Sequence, residues 1–589
     1  MKETDNSSDC SECDEGDEVA AEEADDFFDA SAPVMDTENV DQFRFDPHLW
    51  KINELPVQPT VEFLGVSGPL HQLSSTSGPF EFFCLFIPIF WWDRWATYTN
   101  QKATMEDSAG KKKRFWLPTC AAELKAWVAT VIWWSLAKSL TIQTFYFHSL
   151  DMNKMKMWIP SWTRWQQLKR YFKVSNPQDD LMNKEDKLHR IRELWDDFMS
   201  RCRANYWPTR EIGLDEAIKR FKGRCSFKQY IKNKPVRWGL KLFCVCCSAT
   251  GYLWNAAWYL GKMDESEAKQ AETSATHRAV IQILSPLAHK NHILHMDNFY
   301  TSIPLLNQLL QMGIMGCGTI RANRKGLCPE VCMKKSEESQ LKKNPGTIRY
   351  ASCGSLCFMS WFAKRPVHLL TNCYLPFSAG EDGKVQHWLT ESGVKVQREI
   401  ARPPAVKLYN LYMGAVDLFD QLRSYAGLDL PCRKFWHPMY WFVIEAALIN
   451  AWVLYKATRE AAKLPLEYSA WTFRKSVALA LAAEWEGLGC KSKDPNASSP
   501  TKIFQTTKVV RTHQIKSRAS AVEGDRYLSE DKHAQHFERI PPLEGSKLKV
   551  RQMLCAQCKT SRSIFWCKKC LAPLCKGACH IQYHTKPGV

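Results

Sequence analysis

Four aspartates and a terminal knot of cysteines and histidines are the residues of this 589-residue chain whose types and spacing suggest chemistry. Asp215 lies in the apolar context Ile212-Gly213-Leu214-Asp215, and Asp297 closes the run ILHMD. Asp417 and Asp420 sit in NLYMGAVDLFDQL, where a spacing of three puts both on one helical face. A carboxylate beside apolar strand residues costs stability unless it is paired. Several carboxylates converging from separate elements hold two Mg²⁺ ions about 4 Å apart, the arrangement that activates a nucleophile and neutralises the leaving group at a phosphodiester. Three of the acids also have an ordinary reading: a hydrogen-bonded turn acid for Asp215, a helix N-cap ahead of Thr301-Ser302 for Asp297, and a salt-bridge partner for Asp420.

The second constellation is Cys555-x2-Cys558-x8-Cys567-x2-Cys570-x4-Cys575-x3-Cys579, followed by His580 and His584. Thiolates and imidazoles suit tetrahedral Zn²⁺, and a segment this short builds no core without metal. Eight candidates fit two structural zinc ions in a cross-brace. Which of Cys579, His580 and His584 bind is left open. Residues 551–589 hold seven Lys and Arg and no acid, which favours DNA contact through counterion release. The other 17 of the 23 cysteines are scattered, as in a reducing compartment. Cys244, Cys246 and Cys247 read as small buried hydrophobes, and the pairs Cys328 with Cys332 and Cys353 with Cys357, loosely spaced and far apart, do not read as metal ligands.

Charge narrows the function class. The net +17 hides a split: residues 1–40 carry fifteen acids and one lysine, leaving +31 on the rest. A basic body with an acidic tail meets a polyanion, and nucleic acid is the first candidate. The tail opens MKETDNSSDCSECDEGDE, which excludes a secretory signal and reads as disordered. The most apolar run, Phe82–Trp92, is broken by Pro88 and falls short of the roughly 20 residues of a membrane span, so no transmembrane helix is expected. KKKR at 111–114 reads equally as a nuclear-import signal or a basic loop. The 24 tryptophans fall mostly on helical faces and read as core rather than base-stacking platforms.

The elements that must position the acids follow from periodicity. Helical spacing dominates 81–208. From 209 to 322 strand-like runs (EIGLDEAI, CSFKQYI, RWGLKLFCVCCSATGYLWNAAWYLG) precede a helix, a strand, a helix and a strand, which predicts an α/β core with a mixed sheet. Residues 323–404 lose that rhythm and read as an insertion. The core closes over 405–424, and helices resume over 425–489, with Tyr440, Ile444, Ala447, Ala451 and Leu454 on one face. An acidic region with linker (1–80), a basic linker (490–550) and the cysteine-rich module (551–589) complete the division. Lys219, Arg220, Lys222, Arg224, Lys232, Lys234, Arg237, Arg321, Arg324 and Lys325 flank the acids and are candidates to track phosphates.

Three segments carry a resemblance to a known family. LDEAIKRFKGRCSFKQYIKNKPVRWGLKLF (214–243) with TGYLWNAAWYLGK (250–262) resembles the first catalytic block of the piggyBac family of transposases. HMDNFYTSIPLLNQLLQMGIMGCGTIRANRKGLCP (295–329) resembles the second block, YNLYMGAVDLFDQLRSY (409–425) the third, and the Cys/His cluster that family's cysteine-rich domain. The resemblance implies an RNase H-like α/β core carrying an insertion, a bipartite helical domain and a zinc module. It implies that Asp215, Asp297 and Asp417 form a DDD triad holding two catalytic Mg²⁺ ions, with Asp420 as an associated acid. It further implies a nuclear homodimer that nicks double-stranded DNA at transposon ends, forms hairpins and joins the ends to TTAA targets. The alternative is a catalytically silent, domesticated DNA- or chromatin-binding protein. One departure is visible: the third block reads Gly414-Ala415-Val416-Asp417 where the family commonly has two glycines, a change of little effect unless positive φ is required.

Overall fold

The computed structural model describes residues 49–491 except 58, 60, 109–115, 138–140, 149–151, 184, 232–235, 262–273, 378–382 and 392–393, together with short strands between 537 and 573. The acidic stretch, KKKR at 111–114, Lys232 and Lys234 lie outside these residues, as do Cys555, Cys558, Cys570, Cys575, Cys579, His580 and His584. The chain divides into two compact units, 1–499 and 500–589.

In the first unit, helices α1 (Pro79–Cys84), α2 (Phe90–Ser108), α3 (Ala121–Ser135), α4 (Trp162–Tyr171) and α5 (Arg192–Asn205) precede every strand of the central sheet but the first. Its strands are β1 (Lys51–Ile52), β2 (Glu211–Arg220), β3 (Gln229–Tyr230), β4 (Trp238–Cys247), β5 (Leu253–Trp258), β6 (Ile293–Met296), β7 (Met315–Thr319), β8 (Ile348–Cys353), β9 (Leu356–Phe362) and β10 (Pro366–Thr371). They lie in the order β1-β8-β9-β10-β7-β6-β2-β4-β3, with β5 also pairing with β4. β2, β6 and β7 run parallel and the other pairs are antiparallel. β5-β4-β2-β6-β7, with only β4 reversed against the parallel trio on one side, is the mixed sheet of an RNase H-like core.

Parallel neighbours need a crossover, and here helices supply it. α6 (Ala275–Leu284) links β5 to β6, and α7 (Ile303–Gln311) links β6 to β7. Each starts at a serine whose hydroxyl accepts a backbone N–H: Ser274 from His277, Ser302 from Leu305. The expected strand CSFKQYI shrinks to the two residues of β3, whereas the long third run splits into β4 and β5. The break falls at Gly251, whose φ of +68° makes the turn.

The stretch read as an insertion does not stand apart. Its strands β8–β10 continue the core sheet beyond β7, through Leu369↔Thr319, Leu370↔Gly318 and Thr371↔Cys317. A separate hairpin, β11 (Lys384–Glu391) with β12 (Val394–Ala401), follows. The described residues between 49 and 80, grouped above with the acidic tail, join the fold: β1 pairs with β8, and Trp50 Nε1 donates to Gly326 O at 2.7 Å.

After α8 (Pro404–Tyr412) and α9 (Ala415–Ser424), helices α10 (Trp436–Ala461) and α11 (Ala470–Lys491) return to the first helices. Lys125 on α3 meets Glu484 on α11 at 2.8 Å, and the rings of Trp127 and Trp441 lie 5.7 Å apart. In α10 every residue from Trp436 to Ala451 is buried, the predicted face and the sides beside it alike, so the helix is covered all round and runs through the core. It is long and apolar enough to cross a membrane, yet 94% of that stretch is buried inside the protein. Its Asn450 side chain accepts from Leu253 N (3.0 Å) and donates to Leu253 O (2.8 Å), tying the helical part to β5. Among the described residues ten tryptophans, Trp91, Trp92 and Trp95 among them, are less than 2% exposed and so belong to the core, most of them on helices as the sequence predicts. Cys244, Cys246 and Cys247 are fully buried too.

In the second unit, Phe537–Arg539 pairs with Phe565–Cys567, which pairs with Ala572–Pro573, and Met553–Leu554 pairs with Arg562–Ser563. The boundary at 550 therefore moves, because a strand inside the supposed linker 490–550 belongs to the terminal sheet. Of the proposed zinc ligands, Cys567 falls on one of these strands.

Candidate active site

β2 and β6 are parallel neighbours with Gly213 opposite His295 and Leu214 opposite Met296. Asp215 and Asp297 are the next residue on each chain, so the two acids emerge together at the C-terminal end of the parallel pair. Asp297 lies just past β6, and its Oδ1 accepts Phe299 N–H at 2.9 Å. Its carbonyl accepts from Thr301 N (3.2 Å) and Thr301 Oγ1 (2.7 Å), while Ser302 caps α7. The N-cap reading for Asp297 is thereby replaced by a turn that holds the carboxylate at the strand end.

Alternation along β2 puts Gly213 and Asp215 on one face. That face receives α9. A Cβ built on Gly213 would stand 2.6 Å from Ala415 Cβ, so only glycine allows the helix to come this close. Further along, Arg423 NH2 donates to Ile218 O at 3.0 Å. α9 therefore lies along β2, with Asp417 and Asp420 carried between these two fixed points. Asp417 is in the first turn and exposed. Asp420 pairs with Arg423 at 2.9 Å, the salt bridge that its ordinary reading expected. Gly414, at φ −79°, and Ala415 both have negative φ, so the departure at Ala415 costs nothing in backbone geometry.

Spacing alone did not reveal Glu216, Lys241 and Tyr300. Glu216 follows Asp215 and so faces the opposite side of the sheet, where it pairs with Lys241 at 2.9 Å. Burial alone would raise the Glu216 carboxyl, but Lys241 and its hydrogen bonds hold it below the usual carboxylate range. Asp297 goes the other way: burial first, and the Glu216 charge second, raise it against the pull of the Phe299 and Tyr300 N–H groups. The Tyr300 hydroxyl is pushed up by burial and then by the charges of Glu216, Asp215 and Asp297. Tyr409 on α8 is pushed up to about 12 by burial, with Asp297 and Asp215 contributing. An acid directly after a strand acid, with a lysine on the next strand, was the available signal for Glu216. Among the described residues no three His, Cys, Asp or Glu side chains are grouped closely enough to hold a metal ion.

The basic residues divide sharply. Lys219 is buried against Glu445 (2.7 Å) and Asp429 (2.9 Å), so it is not a phosphate contact. Arg321 Nε donates to Asn298 Oδ1 (3.1 Å) and Arg324 NH2 to Phe299 O (2.7 Å), bracing the turn that follows Asp297. Arg220, Lys222, Arg224 and Arg237 are exposed.

Residues 78–452 match the family described as Transposase IS4. Among curated proteins, PiggyBac transposable element-derived protein 5 of Homo sapiens is 22% identical over 68% of this chain and 75% of its own length. PiggyBac transposable element-derived protein 3 of Homo sapiens is 27% identical over 47% of this chain, which spans 45% of that relative's length. A piggyBac transposase solved by cryo-electron microscopy as a synaptic complex with hairpin DNA superposes with a TM-score of 0.63 at 21% identity, covering 87% of this chain and 99% of that one. With the family match running from α1 into α10 and through all four aspartates, the chain belongs to the piggyBac-type transposases.

Proposed function

We propose that this chain is a metal-dependent DNA transposase, or a host-adopted derivative of one, that cuts and joins DNA strands at transposon ends. The observation that carries the proposal is the register of β2 and β6, which brings Asp215 and Asp297 out side by side beneath the helix bearing Asp417. The donor chemistry suits a divalent cation: two carboxylates leave adjacent parallel strands side by side, and Asp297 is raised by burial and the Glu216 charge, which a cation would offset. Asp215 and Asp297 would hold it, with Asp417 open to solvent on α9. Bound Mg²⁺ would supply activation of the attacking oxygen and neutralisation of phosphate charge, two ions serving the two sides of the displacement. The chain's own part is positioning. The turn hydrogen bonds fix Asp297, Gly213 admits α9, and exposed Arg220, Lys222, Arg224 and Arg237 hold the DNA backbone.

The finer features of the same reading are a TTAA target, a homodimer that pairs two ends, action in the nucleus and a terminal module folded around two Zn²⁺ ions. The Cys-x2-Cys pairs and the acid-free charge of 551–589 support the last.

A DNA-binding derivative that no longer cuts is the second reading, favoured by the engagement of Asp420 with Arg423. Excision of a reporter flanked by the element's own ends separates the two. The first reading expects excision by the wild type and background levels for Asp215→Ala, Asp297→Ala and Asp417→Ala, with DNA binding kept by all. Wild-type protein that binds DNA without excising selects the second. Metal analysis of the same preparations should find zinc, with less in Cys567→Ser; zinc-free wild type sinks the terminal metal site.

A further inference from the structure

Trp238 departs from the other tryptophans of the central sheet. Trp254 and Trp258 on β5 are buried, whereas Trp238, the first residue of β4, is 43% exposed. Its cross-strand partner on β3 is Tyr230, itself 41% exposed, and the two rings lie 4.8 Å apart. Lys228 Nζ stands 4.9 Å from the centre of the Trp238 ring and donates to Gly223 O at 3.0 Å, so the indole is braced by a lysine that is itself tied to the backbone. β4 is antiparallel to β2, with Cys244 opposite Asp215 and Gly239 opposite Arg220. The step from Cys244 to Trp238 is even, so alternation places Trp238 on the face that carries Asp215 and receives α9. At about 3.3 Å per residue it lies roughly 20 Å along the strand, toward the end at which the acids emerge. The flanks are basic: Arg237 precedes Trp238, Arg220 pairs with the next residue, and both are exposed. Open aromatic rings among cations match a polymer whose flat apolar faces are strung on anions, and every nucleobase has such a face. In a duplex those faces are covered by the neighbouring pairs, so the partner that fits is an unpaired nucleotide.

We propose that Tyr230 and Trp238 form a stacking platform for an unpaired base of a DNA strand that continues past the acid site. The inference rests on the DNA-handling reading above and adds to it a place for single-stranded DNA. At 3.4 Å per nucleotide the platform stands about six steps from the acids, so it holds the strand and takes no part in the chemistry. Arg220 and Arg237 hold the phosphates on either side of the stacked base.

The test measures binding of full-length protein to a single-stranded DNA oligonucleotide carrying a fluorescent adenine analogue, beside the same strand annealed to its complement. Wild type should bind the single strand and quench the analogue. Trp238→Ala should weaken single-strand binding about tenfold and abolish the quenching, with duplex affinity unchanged. Because no phosphate contact is lost, the salt dependence of binding should keep its slope. Trp238→Phe keeps a ring and should retain most of the affinity, whereas Tyr230→Ala should lose affinity for the single strand alone. Equal losses on single strand and duplex overturn the platform, as does a Trp238→Ala protein that binds as wild type does. Single-stranded RNA bound more tightly than DNA overturns it too. Melting curves identify any variant that fails to fold; if Trp238→Ala is lost, Tyr230→Ala and the wild-type quenching decide. A wild type that binds neither form of DNA removes the DNA-handling reading and the platform together. One that binds the duplex but leaves the analogue unquenched in the single strand removes only the platform.

Discussion

Lys219 shows how far residue-level reading reaches. In the sequence it belongs to the basic run Lys219, Arg220, Lys222, Arg224, and nothing in that run separates a phosphate contact from a structural ion pair. The separation comes from β2, which turns Lys219 inward to Glu445 and Asp429 and leaves Arg220 outside. Removing one member of a buried pair strands the other charge. Lys219→Met should therefore cost about 3–5 kcal/mol of stability, read by chemical denaturation, whereas its effect on DNA affinity should be small once the protein is folded. Arg220→Ala should do the reverse, leaving stability within about 0.5 kcal/mol and lowering the salt dependence of DNA binding by about one phosphate contact. Matching phenotypes for the two would mean that they share a role. The aspartates were legible for a different reason. Asp215 sits inside an apolar strand run and Asp297 closes one, whereas Glu216 was hidden because its significance depends on which face of the sheet it takes.

Among the elements, the contact of α9 with β2 sets the site. Gly213 and Ala415 act as one unit, since a side chain on the first would meet the Cβ of the second at 2.6 Å. Gly213→Ala should push α9 away, costing about 1–3 kcal/mol and strand-cleavage activity together. Ala415→Gly in the same chain should restore much of both, because it removes the atom that clashes. Failure of the second change to rescue would show that Gly213 serves the strand and not the helix. Alternation and helical periodicity predicted the β2, β6, α7, β7 series well. They did not predict that β8–β10 extend the same sheet, because pairing across β7 and β10 depends on long-range register that local pattern does not encode. Nor did they show that α10 is buried all round, since its sequence reads as one apolar stripe with other apolar residues beside it.

For the whole molecule, buried neutral histidines set acid tolerance. His292 is 0% exposed, and its Nδ1 lies 3.0 Å from Thr209 O, while burial lowers its pKa to about 4. Its ordinary value is 6.5, so the unfolded chain takes a proton first as pH falls. The contribution to stability is therefore intact above pH 6.5 and is lost progressively down to about 4, up to about 3 kcal/mol in all. His437 on α10, buried with neither ring nitrogen hydrogen-bonded, adds in the same direction. Melting temperature should fall as pH drops through this window, and His437→Phe should flatten the fall; an unchanged slope would mean another group dominates. A charge of +17 shows none of this, because it counts histidine as neutral wherever it lies.

The short strand β1 has a consequence in time. Lys51 pairs with Ser352 and Ile52 with Ala351, so a segment made early in synthesis finds its partner about 300 residues later. At roughly 5–20 residues per second the wait is on the order of 15–60 s. Trp50 has no carbonyl to bond until Gly326 is made, and the N-terminal strap has no sheet edge to join until β8 follows. The strap should thus be among the last pieces to lock, and a nascent chain stopped before residue 348 should still be cut by protease near residue 50 after its helices have become resistant.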